Sequence, residues 1–310
     1  MKTAHVMNNK WSDYWRDDST AGEVFVNQEG GKPVYIDEFW KRHFSSVLAG
    51  DSILDIACGA GSVFASINSD VRKDLDLFAS DISSDALELL ESRVSGVATF
   101  EADSNQLPFP DNKFDWVVSQ FGVEYAGIDA FAEAFRVLAH KGQYCIVCHY
   151  ADGYIDKKNQ VLLLGAKAAE KSGFVDAALD LTNATYQSDT QRLSEARSEF
   201  KTSEQLLAKT FPSVREGIHL HLYFGFKQLY TNRTKYSEHD IVDWLTNMKT
   251  DIEKNLLRLT SMADAALDHS QIESIKNTLL EMGAKNVHIE PMSIPDKDEF
   301  GAWIIAANKP

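Results

Sequence analysis

The sequence predicts an α/β fold in which a mostly parallel sheet carries helices on both faces. Between residues 51 and 150, short apolar runs alternate with segments of helical periodicity, the order that builds a parallel sheet. Near the C-terminal end, two apolar runs follow each other with no helix between them, which predicts an antiparallel hairpin. A long helical stretch separates these two parts, so we expect a helical insertion within one α/β domain.

Four segments follow from this pattern. Residues 1–50 are expected to form an N-terminal helical lid, and residues 51–150 the α/β core. Residues 151–269 are expected to form an inserted helical cap, and residues 270–310 a final helix and β-hairpin that complete the sheet. The lid is predicted to contain an amphipathic helix, because its apolar residues recur at helical spacing: Ile36, Phe39, Trp40, His43 and Phe44.

The predicted elements of the core and the C-terminal segment are short. Four apolar runs are interpreted as buried strands: Ser52–Ala57, Leu77–Ser80, Trp116–Ser119 and Tyr144–His149. Helical periodicity predicts helices over Asp85–Val94 and Asp129–Leu138. A last helix, containing Ile272, Ile275 and Leu279, is expected to end at Gly283, before the hairpin strands Val287–Ile294 and Ala302–Ala307.

Three features of the cap also lead to predictions. Thr202–Gln205 has the spacing of a capping box, and Ser237 precedes an apolar periodic run as an N-cap residue would. His219 and His221 could place two ligands on one face of a strand, but no third ligand is evident, so no metal site is expected.

Composition and charge exclude several classes of protein. The chain has 44% apolar and 25% charged residues, which is typical of a globular protein and excludes wholesale disorder. Its net charge of −15 repels phosphate backbones, so we expect no nucleic-acid partner. No apolar run approaches the roughly 18 residues of a membrane helix, and the first residues do not resemble a signal peptide. Three cysteines suit a reducing compartment, so a cytoplasmic protein without a membrane partner is expected.

A glycine-rich turn follows the first predicted strand, in the sequence Leu54-Asp-Ile-Ala-Cys-Gly-Ala-Gly61. Glycine has no β-carbon, so such a turn lets a ligand approach the backbone closely. The dinucleotide fingerprint G-x-G-x-x-G would need glycine at positions 57, 59 and 62, and only Gly59 is present. Asp55, just before the turn, would repel a pyrophosphate but attract a cation. These residues disfavour an NAD-linked dehydrogenase and favour a nucleoside that carries a positive charge.

The segment Ile53–Val63 resembles the first motif of class I S-adenosylmethionine-dependent methyltransferases, and further pieces of that family follow in order. They are Ala79–Ser83 at the end of the second strand, Glu101–Ser104 with Leu107–Phe109, Phe114–Ser119 at the fourth strand, and Arg136–Gln143 at the turn into the fifth. The loop containing Leu107–Phe109 resembles the subgroup that includes quinone-ring C-methyltransferases. At the last turn, His140-Lys141 replaces the family's usual Pro-Gly. The resemblance implies a Rossmann-like seven-stranded sheet and S-adenosylmethionine as cofactor.

The resemblance also implies a set of cofactor-binding residues: Asp55, Ala57, Gly59, Gly61, Asp81, Ile82, Asp103, Ser104, Ser119 and Gln120. In this interpretation, Asp55 and the glycine turn hold the methionine end, with Asp55 acting on its ammonium group directly or through water. Asp81 accepts hydrogen bonds from the ribose and Ile82 packs on the adenine. Asp103 and Ser104 bind the adenine edge, and Ser119 and Gln120 line the cofactor beside its methyl group.

Several of these residues have structural interpretations as well. Asp55 could be a strand-end cap, and Asp81 could cap the following helix, although Ser83 and Ser84 are nearer to its start. Cys58 is interpreted as a small packing residue. Cys145 and Cys148 would point to opposite faces of a strand, which disfavours a redox or metal pair.

The sequence defines the residues that bind the methyl acceptor less clearly than those that bind the cofactor. Glu124 and His149 are the candidate catalytic residues, because they follow the ends of the fourth and fifth strands, although each could instead be structural. Trp11, Tyr14 and Trp15 could close over the cofactor or pack the first helix onto the sheet. We expect methyl transfer to a small-molecule acceptor under the cap, with oxygen, nitrogen and carbon acceptors all open. The alternative is an inactive protein of the same fold that uses the cap as a partner or dimer surface, and the sequence does not decide whether a homodimer forms.

Overall fold

A computed structural model of the chain describes Trp11, Trp15 and residues 34–188, 190–294 and 297–310. The chain divides into two compact units. The first comprises Met1–Asp156 together with Ala265–Pro310, and the second comprises Lys157–Asp264. The second unit is therefore an insertion in the chain of the first, between the fifth strand and the last helix.

The first unit contains one sheet of seven described strands in the order β3-β2-β1-β4-β5-β7-β6. The strands are β1 Ser52–Ile56, β2 Asp76–Asp81, β3 Val97–Glu101, β4 Phe114–Gln120, β5 Leu138–His149, β6 Lys285–Ser293 and β7 Phe300–Asn308. Strands β1 to β5 pair in parallel, whereas β7 pairs antiparallel with both β5 and β6. The predicted C-terminal hairpin and the Rossmann-like seven-stranded sheet are thus confirmed.

The central strands are apolar on both sides because helices cover both faces of the sheet. In β1, Ile53, Leu54 and Ile56 are fully buried, and β4 and β5 contribute long buried runs. Strand β3 was not predicted from the apolar pattern. It lies at the edge of the sheet and its residues are only partly buried or exposed, so it lacks the continuous apolar run of a central strand.

The helices of the first unit flank this sheet. They are Val34–His43, Ser62–Ala65, Ser69–Arg72, Ser84–Arg93, Asp129–Val137 and His269–Glu281, with short 3-10 helices at Phe44–Ser46 and Val123–Ala126. The predicted N-terminal helix buries Ile36, Trp40 and Phe44. Ser83 caps the Ser84–Arg93 helix by accepting a hydrogen bond from the amide of Ala86, as its position predicted.

The predicted turn at His140-Lys141 is a bulge within β5. Strand β5 begins at Leu138, directly after the preceding helix. Phe114 of β4 pairs with Leu138, and the next paired residue of β4, Trp116, pairs with Gln143, so β5 has extra residues between the two pairs. Lys141 has a positive φ of 65°, and its amide donates to the carbonyl of Lys309. The extra residues therefore form a local loop while both ends of the strand stay paired.

The second unit is built from helices, and two interpretations of this region were wrong. Its helices are Tyr154–Lys171, which begins in the first unit, Phe174–Tyr186, Thr190–Ala208, Ile218–Thr231 and Glu238–Ala265, with a 3-10 helix at Arg233–Lys235. The supposed capping box Thr202–Gln205 lies inside a helix, where the Thr202 hydroxyl donates to the carbonyl of Ser198. By contrast, Ser237 does accept from the amide of Asp240 at the start of its helix.

His219 and His221 lie on a helix and do not share a face. Residues two apart in a helix point in different directions, and His219 is buried whereas His221 is exposed. The Nε2 atom of His219 lies 3.1 Å from the carbonyl oxygen of Val214, and burial lowers the pKa of its ring. This histidine therefore belongs to the helix core of the second unit, and the suggested two-ligand arrangement was wrong.

Candidate functional site

A tight turn connects β1 to the helix Ser62–Ala65 at the carboxyl edge of the sheet. Its residues adopt positive φ angles, 50° at Ala57, 50° at Gly59 and 79° at Gly61. The amide of Cys58 donates to the carbonyl of Ser80, which fixes the turn beside the end of β2. A β-carbon on Gly61 would come within 2.9 Å of Leu90, so glycine is required there for close packing of the turn on the Ser84–Arg93 helix.

Asp81, the last residue of β2, ties this turn to the neighbouring strand. One carboxylate oxygen accepts the amide of Gly59 at 2.9 Å and the other accepts the amide of Ser83 at 2.9 Å. Burial raises the pKa of this carboxyl, and the backbone hydrogen bonds act in the opposite direction. A carboxylate has about four acceptor positions, so Asp81 retains capacity for ligand donors after these two bonds.

Asp55 lies one strand away and is fully buried in β1. Among the residues that the structure describes, neither of its carboxylate oxygens has a hydrogen-bond partner. Burial raises the pKa of Asp55 well above its usual value, and the charge of Asp81 raises it further. A buried polar group without a partner is costly, and in a native protein it indicates a ligand, a water molecule or a catalytic role. Both oxygens of Asp55 are therefore available to accept hydrogen bonds from a ligand or a water molecule.

The loop after β3 lies beside Asp81, because the amide of Ala102 donates to the Asp81 carbonyl at 2.9 Å. Asp103 is partly buried and accepts from the amide of Asn105, and Ser104 is buried. The side chain of Asn105 also donates to the carbonyl of Ala126, which connects this loop to the 3-10 helix after β4. Ile82, next to Asp81, is partly exposed. The four predicted residues Asp81, Ile82, Asp103 and Ser104 are therefore neighbours.

Ser119 and Gln120, at the end of β4, already have protein partners. The Ser119 hydroxyl accepts from the amide of Val123, and the Gln120 side chain accepts from the Trp40 indole at 2.6 Å. Gly122 then lies directly against the glycine turn, since a β-carbon there would come within 2.5 Å of the Ala57 carbonyl oxygen. The end of β4 and the turn after β1 are therefore in close contact.

Glu124 and His149, the two candidate catalytic residues, form a buried pair. Oε1 of Glu124 lies 2.7 Å from Nδ1 of the His149 ring and also accepts the His149 backbone amide at 3.0 Å. Both side chains are almost completely excluded from solvent. Phe121 and Tyr125 flank the imidazole, with ring centroids 4.6 and 5.8 Å from it.

Comparison with known proteins agrees with this arrangement. Residues 53–142 match a family described as a methyltransferase domain, and they include the glycine turn, Asp55, Asp81 and the ends of β3 and β4. Over these residues the chain is similar to a methyltransferase domain. The matched residues form β1 to β4 and the beginning of β5, and the remaining two strands complete the domain's sheet.

The relatives of this methyltransferase domain include two ubiquinone/menaquinone biosynthesis C-methyltransferases named UbiE. The chain is 33% identical over 123 residues to that of Pseudomonas paraeruginosa, covering 36% of this chain and 48% of the relative. It is 35% identical over 119 residues to that of Pseudomonas fluorescens, covering 35% and 46%. The chain thus spans about half the length of the curated relatives it matches. A solved SAM-dependent methyltransferase from Methanosarcina mazei is 13% identical, with a TM-score of 0.39, over 86% of this chain and 96% of that one.

The cofactor of this class of methyltransferase domain is S-adenosylmethionine, and the residues present fit it. The cofactor carries an ammonium group, and the unpartnered carboxylate of Asp55 offers the matching charge. Its ribose carries two hydroxyl donors, and Asp81 has acceptor positions left. At Gly59 the space that a β-carbon would take is filled by the Trp15 ring, 2.6 Å from where that carbon would stand.

Two aromatic residues of the N-terminal segment lie near the site of the methyltransferase domain. The Trp15 ring packs on Gly59, and Trp11 contacts Tyr125 edge-to-face at 5.0 Å between centroids. Tyr14 lies outside the described residues. That these residues close over the cofactor stays a prediction.

One pair of residues that supports the site was not found from the sequence. Glu133 accepts the amide of Leu107 at 2.7 Å, and Arg136 donates to the carbonyl of Phe109 at 2.8 Å. Arg136 also pairs with Glu133 and with Asp111. Both residues lie on the Asp129–Val137 helix and fix the loop that follows Asp103 and Ser104. The only signal in the sequence is their three-residue spacing, which is common on solvated helix faces.

The described residues offer neither a metal-binding cluster nor a membrane-spanning helix. No group of three or more His, Cys, Asp or Glu side chains is placed to hold a metal ion in the part of the chain that the structure describes. Within the same part, no helix has both the length and the apolar character of a membrane-spanning segment. The three cysteines of the sequence are buried and free.

Proposed function

We propose that this protein is an S-adenosylmethionine-dependent methyltransferase that acts on a small-molecule acceptor. The observation that carries the proposal is the fully buried Asp55 carboxylate, whose two oxygens have no partner among the described residues. It lies directly before a glycine turn that is itself held by Asp81. A buried carboxyl group without a partner, beside a glycine turn, is a site for a ligand that brings a positive charge and hydrogen-bond donors.

In this proposal each end of the cofactor has its own residues. Asp55 and the turn through Ala57, Gly59 and Gly61 hold the ammonium end. Asp81 accepts the ribose hydroxyls while it keeps the amides of Gly59 and Ser83. Ile82, Asp103 and Ser104 hold the adenine, supported by the neighbouring positions of Ala102 and Asp81.

The residues at the end of β4 contribute by positioning the reacting atoms. When bound, S-adenosylmethionine supplies a methyl group on a positively charged sulfur, ready for in-line displacement by a nucleophile. Ser119 fixes the 3-10 helix through Val123, and Gln120 is fixed by Trp40, so this end of the site is rigid. Correct alignment of the reacting atoms can lower an activation barrier by about 7–11 kcal/mol. The main contribution of these residues is therefore to hold the reacting atoms in position.

The acceptor is proposed to be a small molecule. The two curated relatives are named as ring C-methyltransferases of ubiquinone and menaquinone biosynthesis, which are small-molecule pathways. Their match covers little more than a third of this chain. It supports the reaction class, whereas the proposal for the acceptor is argued from the residues of this chain. Glu124 and His149 are proposed as acceptor-side residues, and the role of the inserted helices as a cap stays a prediction.

Calorimetric titration tests the proposal. Purified protein is titrated with S-adenosylmethionine, S-adenosylhomocysteine and NAD, and the titrations are repeated on Asp55→Asn. We expect micromolar binding of both adenosyl compounds, no binding of NAD, and weaker adenosyl binding in the variant. Absence of adenosyl binding to the unmodified protein would contradict the proposal. A circular dichroism melt of the variant serves as the control for folding.

A further inference from the structure

The buried Glu124–His149 pair has an orientation that leaves one ring nitrogen available. Oε1 of Glu124 receives both the backbone amide and Nδ1 of His149, at 3.0 and 2.7 Å. An oxygen that receives two such contacts acts as an acceptor, so Nδ1 is the nitrogen that carries the proton. The neutral ring then has its lone pair on Nε2, which is buried and has no partner among the described residues.

The position of the pair relates it to the proposed cofactor site. His149 ends β5 and Glu124 lies in the 3-10 helix that follows β4, both at the carboxyl edge of the sheet. Gly122, two residues before Glu124, lies against Ala57 of the glycine turn. In open α/β sheets, ligands bind outside the carboxyl ends of the strands. The imidazole therefore lies at the edge of the sheet where the methyl group would be transferred. Glu124 and Gly122 connect it to the glycine turn.

In this pair, the Glu124 carboxylate orients the His149 ring so that Nε2 can act as a base. When Nε2 takes up a proton, the imidazolium stays beside a carboxylate, so the buried pair becomes neutral overall and little charge has to be solvated. Phe121 is tilted against the imidazole and Tyr125 meets it edge-on, so the ring lies in an aromatic environment that suits a flat apolar acceptor. An amine that arrives as the free base needs no such group, whereas a hydroxyl oxygen is a weak nucleophile until its proton leaves.

We propose that His149 is a catalytic base and Glu124 its positioning residue, and that the acceptor is a phenolic hydroxyl group. This inference rests on the proposed methyltransferase function. The hydroxyl oxygen forms a new bond to the methyl carbon while the carbon–sulfur bond breaks and its electron pair stays on sulfur. The hydroxyl proton moves to Nε2 of His149. The products are a methyl ether, S-adenosylhomocysteine and an imidazolium that returns its proton to water.

Several groups lie close to the imidazole. Glu124 contacts Nδ1, Tyr125 meets the ring edge-on, and Cys148 precedes His149 in β5. Burial raises the pKa of the Cys148 thiol well above its usual value, and the Glu124 charge raises it further, so that thiol stays neutral. From β7, the paired residue is Ala302, which carries no charge. Glu124 is thus the charge that governs the pair.

Histidine ring NMR gives a readout that does not depend on turnover. The ¹⁵N shifts of the His149 ring, assigned by comparison with His149→Gln, report which nitrogen carries the proton. At neutral pH we expect Nδ1 to be protonated and Nε2 to be unprotonated, both in the free protein and with S-adenosylhomocysteine bound. A ring protonated on Nε2 alone would overturn the proposal.

Methyl transfer to two phenols tests the base directly. Phenol and the more acidic para-nitrophenol, which ionises in mildly alkaline buffer, are offered with labelled S-adenosylmethionine to the full chain. We expect His149→Gln to lower the rate on phenol by about 100- to 10,000-fold and to have a much smaller effect on the ionised phenol. We expect Glu124→Gln to lower kcat more on phenol than on the ionised phenol, because the carboxylate that orients the His149 ring is lost.

The exposed pair His288 and Glu290, with a 3.1 Å contact on the surface of β6, supplies the control. His288→Gln should change neither rate. Equal loss on both phenols in His149→Gln, an unchanged kcat on phenol in a folded Glu124→Gln, or no methylation of either phenol by a protein that binds S-adenosylhomocysteine would each overturn this inference alone. A protein that binds no adenosyl compound would overturn the proposed function, and this inference with it.

Discussion

The backbone amide of Gly59 donates a 2.9 Å hydrogen bond to the Asp81 carboxylate, so the turn after β1 and the end of β2 form one unit. The second oxygen of Asp81 accepts the amide of Ser83, at the start of the next helix. One side chain therefore fixes the glycine turn and the helix start, and its remaining acceptor positions are proposed to bind a ligand. This makes Asp81 a structural residue and a proposed ribose-binding residue together.

Replacement of Asp81 should separate these two roles. Asp81→Asn keeps one acceptor oxygen, whereas Asp81→Ala removes both. Since a hydrogen bond to a charged group contributes about 1.5–3 kcal/mol, we expect S-adenosylhomocysteine affinity to fall about 10- to 100-fold in Asp81→Asn and further in Asp81→Ala. Calorimetry measures the affinities, and thermal melts the accompanying loss of stability. Unchanged affinity in a destabilised Asp81→Ala would assign the residue a structural role only.

Asp55→Asn should stabilise the free protein and weaken cofactor binding. Burial and Asp81 raise the pKa of Asp55 in the folded state well above its usual value. The folded protein therefore binds that proton more tightly than the unfolded chain, so stability rises as pH falls from the folded pKa towards the unfolded value of about 4. Asparagine does not titrate, so the variant should melt at a higher temperature than the unmodified protein at neutral pH.

Melting curves over pH measure this effect. The advantage of Asp55→Asn should shrink as pH approaches about 4, where the unmodified carboxyl is protonated in both states. With saturating S-adenosylhomocysteine the order should reverse, because only the aspartate offers a charge to the ligand's ammonium group. A variant that is less stable at neutral pH and binds the ligand equally well would contradict the role assigned to Asp55.

Those two carboxylates were predictable because their signal is local. Asp55 is the last residue but one of β1 and Asp81 is the last residue of β2, and the ends of adjacent parallel strands meet at one edge of a sheet. The order of strands and helices was likewise predictable from alternating patterns. The bulge at Lys141 was not, since it depends on a positive φ and on a hydrogen bond to Lys309, far away in the sequence.

The contact of Glu124 with His149 could not be predicted from the sequence, although each residue was a candidate by its place at a strand end. Nothing local determines that the 3-10 helix after β4 turns its carboxylate under the end of β5. The same holds for Glu133, which reaches the amide of Leu107 across 26 residues of chain. These contacts form through tertiary packing, and a single sequence carries no pattern for them.

Gly122→Ala should displace the end of β4 from the glycine turn. Gly122 has a negative φ of −140°, so the left-handed conformation that favours glycine is not involved and the argument rests on close contact. The added methyl group would lie 2.5 Å from the Ala57 carbonyl oxygen and 2.7 Å from its β-carbon, and one of the two segments must move. We expect a loss of about 1–3 kcal/mol in stability and a clear loss of S-adenosylhomocysteine affinity.

Gly96→Ala provides the matched control. Gly96 has a positive φ of 81° but no atom within 4 Å of the position of an added β-carbon. Its substitution should lower stability through backbone strain and leave cofactor affinity unchanged. If Gly122→Ala and Gly96→Ala behave alike in calorimetry, the contact between Gly122 and Ala57 does not support the site.

Glu133→Gln should weaken the loop after Asp103 in a pH-dependent way. The hydrogen bond from Arg136 lowers the pKa of Glu133 in the folded state, and the Leu107 amide and the Arg136 charge act in the same direction. A lowered folded pKa contributes stability that is present above the unfolded value of about 4.3 and is lost as pH falls through the folded pKa. Because the pair is partly exposed, the effect should be about 1 kcal/mol or less.

The measurement is the difference in melting temperature between the unmodified protein and Glu133→Gln across pH. The difference should be largest near neutral pH and should decline in acid, where Glu133 becomes protonated. Glu273→Gln, which removes the exposed partner of Lys276 on the last helix, should show almost no difference at any pH. A Glu133→Gln difference that stays constant from neutral pH into acid would mean that the Arg136 pair does not hold the loop by charge.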